Sequence, residues 1–213
     1  MTSVAVIDYG MGNLRSVCKA IEYVVPKADV RLATTPAEIS RADRVVFPGQ
    51  GAIAGCIDAL DQSGMREALL ESMRAKPFLG ICLGLEALYK SSEEGGGTPC
   101  LDVLPGTVRH FDASETGPSR GLKIPHMGWN QVHQQRAHPL WRGIAQHTRF
   151  YFVHSYYADT TDRAFVAGVT DYGVPFTSAA ARENIFAVQF HPEKSQRAGL
   201  QLLANFVEWD GRV

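Results

Sequence analysis

Short apolar runs of the buried-strand kind alternate with helix-patterned stretches through the first half of the chain, and that alternation restricts the fold most. Val4–Ile7 is the first run. After Gly10 and Gly12 comes Asn13, a residue suited to capping a helix. Leu14, Val17, Cys18, Ile21, Val24 and Val25 then recur at helical spacing until Pro26. Val30–Ala33 and Arg44–Phe47 read as the next strands, the latter ended by Pro48-Gly49. Ala52–Leu60 and Met65–Ala75 read as helices, Pro77–Ile81 as a strand and Leu83–Tyr89 as a helix. Strands separated by helices pair in parallel through right-handed crossovers.

The second half changes character. Val108, Asn130–His133, Arg149–His154, Phe165–Val169, Thr177–Arg182 and Ile185–Phe190 are strand candidates with little helix between them. Turns at Asp171-Tyr-Gly173 and Arg182-Glu-Asn184 predict antiparallel hairpins added to the parallel core. Asp112–Gly121 is polar and reads as an exposed loop, and Gln196–Trp209 as a closing helix. With no internal repeat and no linker composition, residues 1–213 are expected to form a single α/β domain.

Composition excludes several classes. At 213 residues with 45% hydrophobic and 20% charged side chains, the chain is of globular type. Its 21 basic and 22 acidic residues leave a net charge of −1, so there is no electrostatic footprint for nucleic acid or an anionic membrane. The N-terminus lacks a signal-peptide pattern, and no apolar run approaches the ~18 residues of a membrane span. Cys18, Cys56, Cys82 and Cys100 form no C-x-x-C pair and read as reduced thiols of a cytoplasmic protein.

Cys82 lies in Gly80-Ile-Cys-Leu-Gly84, between an apolar strand and a helix. A nucleophile between such glycines at a strand-to-helix junction forms an elbow, with a helix N-terminus beneath the sulfur. The alternative is a small buried core cysteine. A thiol nucleophile needs a base. His191, in Phe190-His-Pro-Glu193, follows a strand and reaches the same sheet edge if that strand runs parallel to the one ending at Ile81. Glu193 is then spaced to orient the imidazole, as in a triad. Pro48-Gly-Gln-Gly51 and the N–H of Leu83 can supply oxyanion donors. Gly49-Gln-Gly51-Ala-Ile-Ala54 also nearly matches a dinucleotide fingerprint, but it follows the third strand rather than the first. His110, His126, His133, His138, His147 and His154 show no metal-ligand spacing, and the residues call for no cofactor or metal. Pro125-His-Met-Gly-Trp-Asn130 is dense in special residues for a short loop, which suggests a functional role without naming it.

In order, Pro48–Gly51, Gly80–Gly84 and Gln189–Glu193 resemble the three motifs of class I glutamine amidotransferases. Asp8–Ser16, Pro125–Asn130 and Phe150–Tyr156 further resemble the glutaminase subunits of imidazole glycerol phosphate synthases, over essentially the whole chain. The resemblance implies a flavodoxin-like three-layer fold with a mostly parallel central sheet and added antiparallel strands. It implies a catalytic triad of Cys82, His191 and Glu193, and an oxyanion hole from Gly49, Gln50, Gly51 and Leu83. It places substrate L-glutamine on Gly51, Glu86, Glu94, His154, Ser155 and Tyr156. It also implies a heterodimer with a (β/α)₈ cyclase subunit, which receives ammonia through a channel, with Asn13, Trp129 and Lys194 at the interface.

Two positions depart from the family pattern. Gln50 stands where the family often has Val, which leaves the backbone N–H intact. Glu86 stands where the class usually has Gln, and an ionised carboxylate cannot donate a hydrogen bond. Glu86 is the feature that favours a non-catalytic regulatory or scaffolding subunit instead. A γ-glutamyl peptidase on the same architecture is a third reading, opposed by the Trp129 segment and by the lack of a larger substrate-binding insertion.

Overall fold

In the computed structural model, residues 1–111 and 122–212 are described. The expected loop Asp112–Gly121 lies outside them. The first half builds β1 (Ser3–Ile7), α1 (Leu14–Val24), β2 (Asp29–Ala33), α2 (Pro36–Arg41), β3 (Arg44–Gly49), α3 (Ile53–Gln62), α4 (Met65–Ala75), β4 (Phe78–Cys82) and α5 (Leu83–Glu86). The second half adds β5 (Ser91–Ser92), β6 (Thr98–Pro99), β7 (Gly106–His110), β8 (His126–Gln131), β9 (His133–Gln134), β10 (Arg149–His154) and β11 (Tyr156–Thr160). It closes with β12 (Val166–Tyr172), β13 (Val174–Arg182), β14 (Ile185–Val188) and α6 (Gln196–Glu208).

The main sheet runs β2-β1-β3-β4-β14-β13-β11-β7-β5-β6, with β12 pairing β13 and β9, while β8 and β10 form a separate ribbon. From β2 to β14 every pairing is parallel. The hairpins β12–β13 and β13–β14 are antiparallel, as their turns predict. Alternate strand residues face opposite layers. Val4, Val6, Val46, Leu79 and Ile81 pack with Leu14, Ile21, Leu203 and Phe206 of α1 and α6. Ala5, Ile7, Val45, Phe47 and Phe78 pack with Ile53, Leu60, Leu69 and Met73 of α3 and α4. Burial on both faces explains why these strands read as continuous apolar runs.

Several elements differ from the sequence reading. α2 was not anticipated, although Thr35-Pro-Ala-Glu38 carries its signal: the Thr35 hydroxyl accepts from the Glu38 N–H and the Glu38 carboxylate from the Thr35 N–H. β11 was likewise missed. Asn13 does not cap α1; its backbone is not in the extended cap conformation, and its side chain accepts from the Ser16 hydroxyl instead. β3 continues through Pro48 and Gly49, because β1 pairs only as far as Val46 and the missing proline N–H breaks no bond on that side. The helix expected to reach Tyr89 stops at Glu86, since the carbonyls of Ala87, Leu88 and Tyr89 accept from N–H groups of residues 101–104. Finally, Pro125–Asn130 is not a loop: His126–Gln131 is strand β8.

Candidate active site

β4 delivers Cys82 at the carboxyl edge of the parallel strands, where open α/β sheets bind their ligands. The residue holds φ 54° and ψ −109°, a strained backbone for any side chain with a Cβ. Its flanking glycines are required by contact. A Cβ at Gly84 would lie 1.8 Å from the Phe47 carbonyl oxygen, and one at Gly80 would lie 2.7 Å from that of Gly84. The elbow therefore sits against β3, whose Gly49 is the register partner of Cys82. A Cβ on Gly49 would be 2.2 Å from the Tyr9 hydroxyl oxygen, and Gly51 takes φ 101°. Gly49, Gln50 and Gly51 thus pass directly beside the thiol, as does Leu83, the next residue in the chain.

β14 runs parallel beside β4 with Val188 opposite Ile81, so the segment after β14 emerges next to Cys82. His191 is fixed there by its backbone: its N–H donates to the Tyr151 carbonyl at 2.9 Å, and the Ser195 hydroxyl donates to its carbonyl at 2.6 Å. Its Nδ1 lies 2.9 Å from Glu193 Oε1, and both side chains are buried. Among the described residues Nε2 has no hydrogen-bond partner, and the imidazole lies close enough to Cys82 to feel its charge. Burial alone pulls the imidazole pKa down. The charge of Cys82, joined by Glu193, outweighs it and brings His191 to about 10. α5 has only four residues and a correspondingly weak dipole, so the positive charge facing Cys82 comes from His191 rather than from the helix end.

A cavity of about 310 Å³ opens in front of the sulfur, a size suited to a small molecule. Gln50, Gly51, Glu86, Glu94, His154, Ser155 and Tyr156 line it together with Cys82, Leu83 and His191. Every residue expected to hold substrate is therefore at one cavity. Glu94 Oε2 accepts the Ile53 N–H at 2.8 Å, which anchors it to the start of α3. Glu86 is buried at the cavity wall and accepts from Gln189 Nε2 at 2.7 Å. Burial pushes its pKa up to about 7, with the Gln189 bond opposing and Glu94 adding to the rise. Gln189 was not singled out from sequence. Its signal was its place two residues before His191, on the same side of an extended chain; its amide nitrogen lies 3.9 Å from Cys82 Sγ.

Asn13 and Lys194 are exposed. Asn13 lines a crevice of about 10 Å³ with Pro48, Gly49, Gln50, His191 and Glu193, on a second side of the imidazole. Trp129 rests edge-on against Tyr151, the residue whose carbonyl holds His191. Burial raises the other thiols, Cys18 to about 11, Cys56 to about 12 and Cys100 to about 11. Among the described residues, no group of three or more His, Cys, Asp or Glu is placed to hold a metal ion, and no helix is long and apolar enough to cross a membrane.

The model of the class-I glutamine amidotransferases matches residues 5–209. Imidazole glycerol phosphate synthase subunit HisH of Nitrosomonas europaea is 58% identical over 211 residues, covering 98% of this chain and 99% of that protein. The HisH subunit of Nitrosococcus oceani is 57% identical, covering 99% of each chain. Among solved structures, PurLQS from Thermotoga maritima superposes with a TM-score of 0.74 at 14% identity, covering 97% of this chain and 98% of that one. The glutaminase domain of Trypanosoma brucei CTPS with bound acivicin superposes with a TM-score of 0.68 at 15% identity, covering 99% of this chain and 95% of that one. Likeness at such low identity speaks to the fold alone.

Proposed function

The chain belongs to the class I glutamine amidotransferase family, and we propose that it is the glutaminase subunit of an imidazole glycerol phosphate synthase. It hydrolyses L-glutamine to glutamate and ammonia and passes the ammonia to a cyclase subunit of (β/α)₈ form. The cyclase joins that ammonia to a phosphoribulosyl-formimino carboxamide nucleotide, giving imidazole glycerol phosphate and an aminoimidazole carboxamide ribotide for histidine biosynthesis. The observation that carries this reading is the meeting of Cys82 with the His191–Glu193 pair across β4 and β14, at the mouth of a small-molecule cavity.

In the reaction, the Cys82 sulfur attacks the side-chain amide carbon of glutamine. The oxyanion that forms is held by the Leu83 N–H and by one from the Gly49–Gly51 segment, that of Gln50 once its peptide is turned toward the site. His191, protonated beside Cys82, gives its proton to the leaving nitrogen. The products of this half are ammonia and a glutamyl thioester. The neutral imidazole then takes a proton from water, which attacks the thioester and regenerates the thiol. Glu193 keeps Nδ1 occupied, so Nε2 faces the reacting atoms. Substrate contacts fall to Gly51, Glu86, Glu94 and the 154–156 backbone. The crevice beside Asn13 and Pro48 touches His191 from another side, which supports an ammonia exit toward a partner held by Asn13, Trp129 and Lys194.

The test is covalent capture. A chloroketone analogue of glutamine, added to the complex with the cyclase subunit, is expected to place one adduct on Cys82 and to be blocked by excess L-glutamine. Labelling spread over Cys18, Cys56 and Cys100, or no protection by glutamine, overturns the reading. The same outcome would favour a non-catalytic subunit.

A further inference from the structure

β8 and β10 form an antiparallel ribbon in which His126 stands opposite His154. Alternation along β8 turns His126 inward, while Met127 and Trp129 stay 61% and 43% exposed. Hydrogen bonding fixes the proton on each ring. The His154 Nδ1 lies 2.6 Å from the Tyr156 carbonyl oxygen, which can only accept, so that nitrogen carries hydrogen. In a neutral ring Nε2 is then a bare acceptor, and His126 Nδ1, 2.8 Å away, donates to it. The bare Nε2 of His126 in turn accepts from the Asn130 amide at 3.3 Å, and that amide also donates to the Asp171 carbonyl at 2.8 Å. Burial lowers His126 to about 4 and His154 to about 3, so both rings are neutral at physiological pH. Tyr172 and Phe152 stack on His126 at 3.9 and 4.8 Å between centroids, which leaves the ring little room to turn.

The terminus of this relay is the cavity. His154, Ser155 and Tyr156 form one of its walls, at the corner where β10 gives way to β11. The His154–Tyr156 bond is a clasp across that corner, and His126 holds the clasp from behind. We propose that His126 is a positioning residue for the glutamine site: through His154 it sets the shape of the 154–156 wall and carries to it any displacement of the strand that presents Met127 and Trp129. This rests on the glutaminase reading above. It adds a residue that touches neither substrate nor the triad, and it gives the Pro125–Asn130 segment a task on its inner face distinct from the outer one.

Two measurements on the complex with the cyclase subunit test it. His126→Phe keeps the stacked ring but removes both hydrogen bonds. The expected result is a KM for glutamine about tenfold higher, with kcat within about threefold and the affinity for the cyclase unchanged, the size of effect a lost buried hydrogen bond produces. An unchanged KM alongside an active wild type overturns the inference. A wild type that turns over no glutamine in the same assay instead overturns the glutaminase reading. Nitrogen-15 NMR of the histidine-labelled wild type is independent of activity and of how well the variant folds. It is expected to find both rings neutral with the proton on Nδ1 from pH 6 to 8. A ring protonated on Nε2, or charged in that range, breaks the relay and the inference with it.

Discussion

Replacing Glu86 with Gln exchanges a buried carboxyl for an amide of nearly the same shape, and the effect on folding has a defined pH dependence. Glu86 sits at about 7 instead of the ordinary 4.5. Each pKa unit is worth about 1.4 kcal/mol, so ionising the buried side chain costs the fold up to about 3 kcal/mol. The direction follows from proton counts. Between the unfolded and folded values the unfolded chain has released its proton while the folded one retains it, so stability falls as pH rises toward 7 and then levels off. The substituted amide still accepts from Gln189 through its carbonyl oxygen and has no proton to lose. Urea unfolding of both proteins at pH 5 and pH 8.5 gives the difference directly. The advantage of Glu86→Gln is expected to grow by about 2.5 kcal/mol between those values. Parallel pH profiles would refute the buried, desolvated carboxyl on which the reasoning stands.

Two other perturbations have expected outcomes. His191 is raised by its neighbours, so the stability its proton supplies is complete below the unfolded value near 6.5 and is lost as pH passes about 10; in Cys82→Ala its NMR titration is expected to fall by more than about two units, and a midpoint left unchanged would mean that Cys82 is not the charge it faces. Gly84→Ala forces a methyl onto the Phe47 carbonyl oxygen, where it would sit at 1.8 Å; a loss of about 3 kcal/mol or failure to fold is expected, and a wild-type unfolding midpoint would contradict the close packing of the elbow on β3.

The parallel half of the fold was legible because its central strands β1, β3 and β4 are buried on both faces and its helices on one, which makes hydrophobic periodicity a direct record of the layers. The carboxyl edge followed from that: once β4 and β14 are neighbours, Cys82 and His191 must meet. β11 was hidden because Tyr156–Thr160 is half polar, with Asp159 and Thr160 closing a strand whose neighbours come from distant parts of the chain. α2 was hidden by its length, six residues that carry little periodicity, though its capping box was in plain view. The helix after Cys82 was overread because all of Leu83–Tyr89 is buried, and apolar character alone does not distinguish a helix from a packed turn. His126 could not be assigned from sequence, because its significance lies in a hydrogen bond to His154 that only the β8–β10 register brings about.

The chemistry attributed to the sulfur of Cys82 is open to one direct measurement: product formation by the Cys82→Ala complex, supplied first with glutamine and then with ammonium. Glutamine-dependent turnover is expected to fall by at least about 10⁴-fold, as loss of a nucleophile does, while ammonium-dependent turnover by the cyclase stays at the wild-type rate. Glutamine-dependent turnover within tenfold of wild type would contradict the account.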